Sequence, residues 1–220
     1  MGESTPRVPI LLGLYNRYLK DQNSAALVDQ LSRSYLQGTL ERLAEHPLRE
    51  VRRAAVLALG FVGDYSANHT VGRALCDGDR PVRLLADTAI RSIWARAGDE
   101  PQRRELAVLV RLNAARRFEE VIQRAGTLID KAEWYGEAWN QRAIAHFSLG
   151  QLQESIRDCH QTLEINPYHF AAAAGMGQAY LQLGNHACAL ECFRRALRLN
   201  PDMEAVRVQV ARLSRLLEGT

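Results

Sequence analysis

The sequence predicts an all-α protein, an alpha-alpha superhelix (solenoid) in which antiparallel helix pairs stack one on the next. Three observations predict it. Apolar residues recur at intervals of three and four, as in Ile156, Cys159 and Leu163, which marks one buried stripe of an amphipathic helix. The chain repeats itself, with a period of 34 residues in its second half and 31 in its first. Glycine and proline stand at matching places in the later copies, where a helix has to end.

Residues 1–9 read as a flexible N-terminus. Residues 10–20 and 24–44 read as two helices, with Asn23 or Ser24 capping the second and Gly38 as a break in it. Two copies then follow at the shorter period. Val51-Arg52 matches Val82-Arg83, and Ala55, Ala58, Leu59 and Val62 match Ala86, Ala89, Ile90 and Ile93. The helical segment 10–98 closes at Gly98-Asp99-Glu100-Pro101. There Asp99 can cap the next helix and Pro101 can open it, because the first helical N–H groups need no partner within the helix.

The longer period is plainer. Residues 136–169 superpose on 170–203, with Leu149-Gly150 on Leu183-Gly184, Ile156 on Leu190, Leu163 on Leu197 and Asn166-Pro167 on Asn200-Pro201. Gly150 and Gly184 suit a left-handed turn between two helices, and each proline stops the second helix because its ring disfavours a helical predecessor. A further copy at 102–135 turns Leu112, Phe118, Val121, Leu128 and Ile129 inward, but carries Glu133 where the others have proline. Residues 204–218 add one more stripe of Val206, Val210, Leu213 and Leu217, backed by Arg207, Arg212 and Arg215. That is the terminal helix with a polar face that a stack of repeats needs as its cap.

The second half resembles the tetratricopeptide repeat family. Trp139, Ala143, Ser155, Thr162 and Pro167 stand where that family has Trp, Gly or Ala, Ala, Ala and Pro, and Gly177, Tyr180, Ala189, Phe193, Ala196 and Pro201 do so in the next copy. Ala173, His146 and Cys159 depart from the pattern. The resemblance implies three repeats at 102–135, 136–169 and 170–203 and a groove formed by their first helices. It places the ligand-facing side chains on Leu106, Val110, Asn113, Asn140, Ile144, Phe147, Ala174, Gln178 and Leu181. Members that clamp a chaperone's C-terminal carboxylate use Lys and Asn, whereas Leu106, Val110, Gln141 and Gly175 stand at those places here. The first half resembles HEAT repeats, in the short form also seen in phycobilin-lyase-like proteins. Asp77 and Arg83 occupy the places of that family's Asp and Arg, which bond between neighbouring repeats, and His46 takes the Asp place of the preceding copy.

Composition narrows the function from the other side. At 220 residues the chain can bury a core without disulfides or metal. The apolar run at residues 8–14 is far shorter than the roughly 20 residues of a membrane span, and no membrane partner is expected. Cys76, Cys159, Cys188 and Cys192 lack the spacing of a disulfide framework, which fits a reducing cytoplasm. The formal charge of +3 arises from 28 basic and 25 acidic side chains intermixed along the chain, so no basic footprint for nucleic acid stands out. The arginines at 49, 52 and 53 and at 194, 195 and 198 are interleaved with Glu50 and Glu191, as on a solvated face.

No phosphate loop, dinucleotide fingerprint, serine elbow or paired CxxC occurs. His186, Cys188 and Cys192 form the strongest metal candidate, with the two thiols four apart on one helix face, but a fourth ligand is missing and the positions suit small buried residues. His160 and His169 read as surface or turn residues. No catalytic residue, metal or cofactor is therefore expected. The leading expectation is a cytoplasmic, non-catalytic scaffold or adaptor that takes a peptide or helix in the groove, with the first half as a stiff extension or second docking face. The alternatives are a lyase-like or ligand-handling HEAT protein, and a regulatory subunit of a larger assembly. Whether the same chain or a second copy, as in a homo-oligomer, fills the groove is left open.

Overall fold

The computed structural model describes residues 10–218, so the expected flexible segment 1–9 lies outside the described residues. Among the described residues there are thirteen α-helices, one 3-10 turn at Tyr65–Ala67 and no strand. They fall into two compact units that divide between Ile93 and Trp94.

The first unit contains α1 (Ile10–Asp21), α2 (Ser24–Ser34), α3 (Gln37–Leu43), α4 (Arg49–Val62), α5 (Asn68–Ala74) and most of α6 (Arg80–Arg96). The division falls inside α6. Asn23 caps α2 as expected, its Oδ1 accepting from the N–H of Ala26 at 3.0 Å. The break after α2 is not at Gly38. It lies at Tyr35 and Leu36, both extended, while Gly38 sits inside α3. Tyr35 is held there by its hydroxyl, which accepts from the N–H of Leu11 at 2.8 Å.

The residues matched at the 31-residue period form the core of this unit. Val51, Ala55, Ala58 and Leu59 of α4 and Val82, Ala86, Ala89 and Ile90 of α6 are all buried. The two helices come close at Gly60, where a Cβ would lie 2.9 Å from that of Ala89. Arg52 grips the Asp77 carboxylate with two bonds of 2.7 and 2.8 Å, and Arg53 grips Asp79 with bonds of 2.8 and 2.6 Å. Paired forks of this kind are stronger than single neutral bonds. The Arg53 pairing holds the Asp79 carboxyl down to about 2. Arg52 also donates to the His46 carbonyl as Arg83 donates to that of Asp77, so one bond recurs at the period.

The second unit runs from the last turn of α6 through α7 (Glu100–Ala114), α8 (Phe118–Lys131), α9 (Gly136–Ser148), α10 (Leu152–Ile165), α11 (Phe170–Gln182), α12 (His186–Leu199) and α13 (Glu204–Glu218). Asp99 and Gln102 form a reciprocal capping box at the start of α7, with Pro101 in the first turn. The turns repeat at 34 residues in their hydrogen bonds as well as their sequence. Arg117, Gln151 and Asn185 each donate an N–H at 2.9 Å to the carbonyl five residues back, on Leu112, His146 and Tyr180. This is the bond that closes a helix through a left-handed residue. Gly150 and Gly184 take that conformation at φ +74°, and Arg116 takes it at φ +60° in the weakest copy. The Asn-Pro corners also repeat, since Oδ1 of Asn166 and of Asn200 each accept at 3.2 Å from the N–H two residues on.

A side chain in the left-handed region costs on the order of 1–2 kcal/mol, part of which glycine gives back as extra freedom of the unfolded chain. Arg116→Gly is therefore expected to stabilise the protein by about 0.5–1 kcal/mol, read as a raised urea midpoint. A lowered midpoint would mean that Arg116 is not strained by the turn it shares with Gly150 and Gly184.

A candidate protein-binding groove

The nine residues expected to line the groove fall on α7, α9 and α11, the first helices of the 34-residue copies. None of the nine carries a charge. The structure sorts them by depth. Val110 and Ile144 are 47% and 42% exposed, while Asn113, Phe147, Ala174, Gln178 and Leu181 are half-buried. Leu106 and Asn140 are 4% and 8% exposed and so belong to the interior rather than to an open surface. Leu106 joins the cluster of Leu109, Val121 and Ala125, against which Ala97 also packs. Phe147, Ala174 and Leu181 rest on the cluster around Met176, Leu190 and Phe193, which fixes them from beneath.

The chain itself covers one end of these helices. The Trp94 ring stacks on His169 with centroids 4.3 Å apart and 15° between planes, and tilts onto Phe170 at 5.5 Å. The Tyr135 hydroxyl donates to the Ala95 carbonyl at 3.0 Å. The last turn of α6 therefore sits on the N-terminal ends of α9 and α11. Further along these helices Val110 and Ile144 are exposed and Phe147, Gln178 and Leu181 half-buried.

His169, read from the sequence as a surface or turn residue, stands at the turn before α11 but is only 1% exposed. Its Nδ1 accepts from the N–H of Ala172 at 3.0 Å and so caps α11, while Nε2 lies 2.8 Å from Glu137 Oε1. That geometry puts the ring proton on Nε2. Burial works against the Glu137 charge, but hydrogen bonds from His169, Asn140 and Gln141 outweigh it and hold the carboxyl below its usual range. The signal available in the sequence was position: the residue before Phe170 is where a helix cap must stand.

A second buried pair crosses from α9 to α10. Arg142 donates to Asp158 through two bonds of 2.7 and 2.8 Å, and its guanidinium lies 4.8 Å from the Trp139 ring centre. On the groove side, Asn113 Nδ2 donates to the Gln141 carbonyl and side chain at 3.0 and 2.9 Å. These contacts fix the spacing between neighbouring helices.

The remaining chemistry is quiet. Burial pushes the Cys159 and Cys192 thiols up to about 12 and about 11, away from the thiolate that metal binding requires. Among the described residues no group of three or more His, Cys, Asp or Glu is placed to hold a metal ion, so His186, Cys188 and Cys192 do not come together as a site. The arginine clusters are largely engaged, Arg49 with Glu50, Arg52 with Asp77, Arg53 with Asp79 and Arg198 with Glu191. Among the described residues no helix is long and apolar enough to cross a membrane.

Comparison with known proteins agrees with the geometry. Residues 134–202 match the family model of the tetratricopeptide repeat, so this stretch carries such repeats. Over 85 residues the chain is 34% identical to a TPR repeat-containing protein of Rhizobium etli, covering 39% of this chain and 42% of that one. Over 86 residues it is 31% identical to Superkiller complex protein 3 of Mus musculus, covering 39% of this chain and 5% of that protein. The chain thus spans less than half the length of these curated relatives. Among solved structures, the TPR2AB domain of yeast Sti1, in a pHSP90 complex, is similar with a TM-score of 0.50 and 13% identity, covering 93% of this chain and 97% of that one. At that identity the likeness concerns the fold.

Proposed function

We propose that this protein is a non-catalytic, cytoplasmic adaptor whose groove on α7, α9 and α11 holds an extended or helical segment of a partner protein. The observation that carries this reading is the open apolar face itself. Val110 and Ile144 remain solvent-exposed beside half-buried Phe147 and Leu181, on helices whose backbones are fixed by buried ion pairs and caps. Exposed apolar side chains grouped on one face mark an interface, and neighbouring amides such as Gln178 can satisfy a bound backbone. The tetratricopeptide match supports a protein-interaction role. The uncharged Leu106, Val110, Gln141 and Gly175 speak against recognition of a chaperone's C-terminal carboxylate. In this reading 102–135 is a third tetratricopeptide unit, and the HEAT-like first unit serves as a stiff extension or second docking face.

A photo-crosslinking amino acid placed at Ile144 tests the assignment in lysate of the native organism. It is expected to capture a discrete protein that the same group at Arg157, exposed on α10, does not. Equal capture at both positions would contradict the groove.

A further inference from the structure

The helix α13 does more than close the stack. Its buried Val206 and Leu213 and half-buried Val210 lie 34 residues beyond Ala172, Ala179 and Met176 of α11, and Ala138 and Ala145 of α9 stand one period earlier still. Because α13 buries the same stripe as α9 and α11, the residues one period beyond the groove residues must lie on the continuation of the groove face. Those residues are Val208 after Ala174, Arg212 after Gln178 and Arg215 after Leu181. Val208 is 59% exposed, and both arginines are exposed.

The charges on this face are unbalanced. Arg207, also on α13, is paired with Glu204, but among the described residues neither Arg212 nor Arg215 has an ion-pair or hydrogen-bond partner. Three apart, they share a side of the helix, where like charges repel and an outside anion relieves the repulsion. None of the nine groove residues on α7, α9 and α11 is acidic. The groove therefore runs from an uncharged apolar stretch into a basic end.

Resting on the groove reading, we propose that α13 is the last wall of the recognition surface and that the partner is a protein segment with apolar anchors followed by acidic side chains. The anchors lie over Ile144, Phe147 and Leu181, and the Asp or Glu residues lie at Arg212 and Arg215. Charge complementarity of this kind sets orientation and speeds encounter.

Selection from a displayed library of random 16-residue peptides against the full chain tests this. Four forms are compared: wild type, Phe147→Asp/Leu181→Asp, Arg212→Glu/Arg215→Glu, and Arg33→Glu/Arg157→Glu as a charge-matched control away from the groove. The wild type is expected to enrich peptides with apolar residues followed by Asp or Glu. Their affinity should fall about tenfold on Arg212→Glu/Arg215→Glu at low salt, as two exposed ion pairs allow, and stay unchanged on the control. Peptides that need Phe147 and Leu181 but show no acidic enrichment, or bind Arg212→Glu/Arg215→Glu as well as the control, would overturn the basic end and leave the groove standing. Peptides indifferent to Phe147→Asp/Leu181→Asp, or no enrichment at all, would overturn the groove reading and this extension with it.

Discussion

Replacing Phe193 by alanine is expected to cost about 3–5 kcal/mol of stability, the range for emptying a fully buried aromatic site. The ring is 0% exposed and packs against α11, where a Cβ added at Gly177 would come within 2.7 Å of two of its carbons. On the α11 side the ring meets glycine backbone, which offers no side chain to fill the space. In a stack of repeats each pair is stabilised mainly by its neighbours, so the damage should be local. Hydrogen exchange should show α11, α12 and α13 losing protection while α7 and α8 keep most of theirs. Phe193→Leu, which retains most of the volume, should cost under about 1.5 kcal/mol. Uniform loss of protection across the second unit would mean that it unfolds as a single block.

The second large effect is expected at Arg142. Asp158 is 5% exposed and takes both of its charged hydrogen bonds from that one guanidinium. Arg142→Ala leaves the carboxylate buried with His146 Nε2 at 3.8 Å as its nearest cationic candidate. Removing one partner of a buried pair costs on the order of 3 kcal/mol, mostly the penalty of the charge left behind. The double variant Arg142→Ala/Asp158→Ala should therefore be more stable than Arg142→Ala alone, in urea melts at pH 7. A double variant that is less stable by the sum of the two single losses would show that the pair contributes through separate contacts.

What was legible in the sequence was what repeats. Gly150, Gly184, Pro167 and Pro201 each impose a backbone geometry that other residues tolerate poorly, so the helix pairs α9–α10 and α11–α12 announce themselves. Arg116 hides the same turn in the first copy, because an arginine at φ +60° leaves no mark in composition. The end of α2 was misplaced for the opposite reason. Gly38 can sit in a helix, and the real break depends on Tyr35 reaching Leu11 across 24 residues. The burial of His169 was not legible because it comes from Trp94, which is 75 positions away along the chain and belongs to another helix. The nine residues expected at the groove fall on α7, α9 and α11, but their depths were not legible. Leu106 and Asn140 are sealed by packing that no local pattern reveals.

The measurement that bears most directly on the central claim is capture of partners from native lysate by the wild type and by Phe147→Asp/Leu181→Asp. The variant is first checked for unchanged helicity and melting, since both side chains are half-buried. The account predicts that a protein recovered with the wild type is lost with the variant, because two carboxylates placed in an apolar groove exclude its anchors. Recovery of the same protein, in the same amount, by both forms would contradict it.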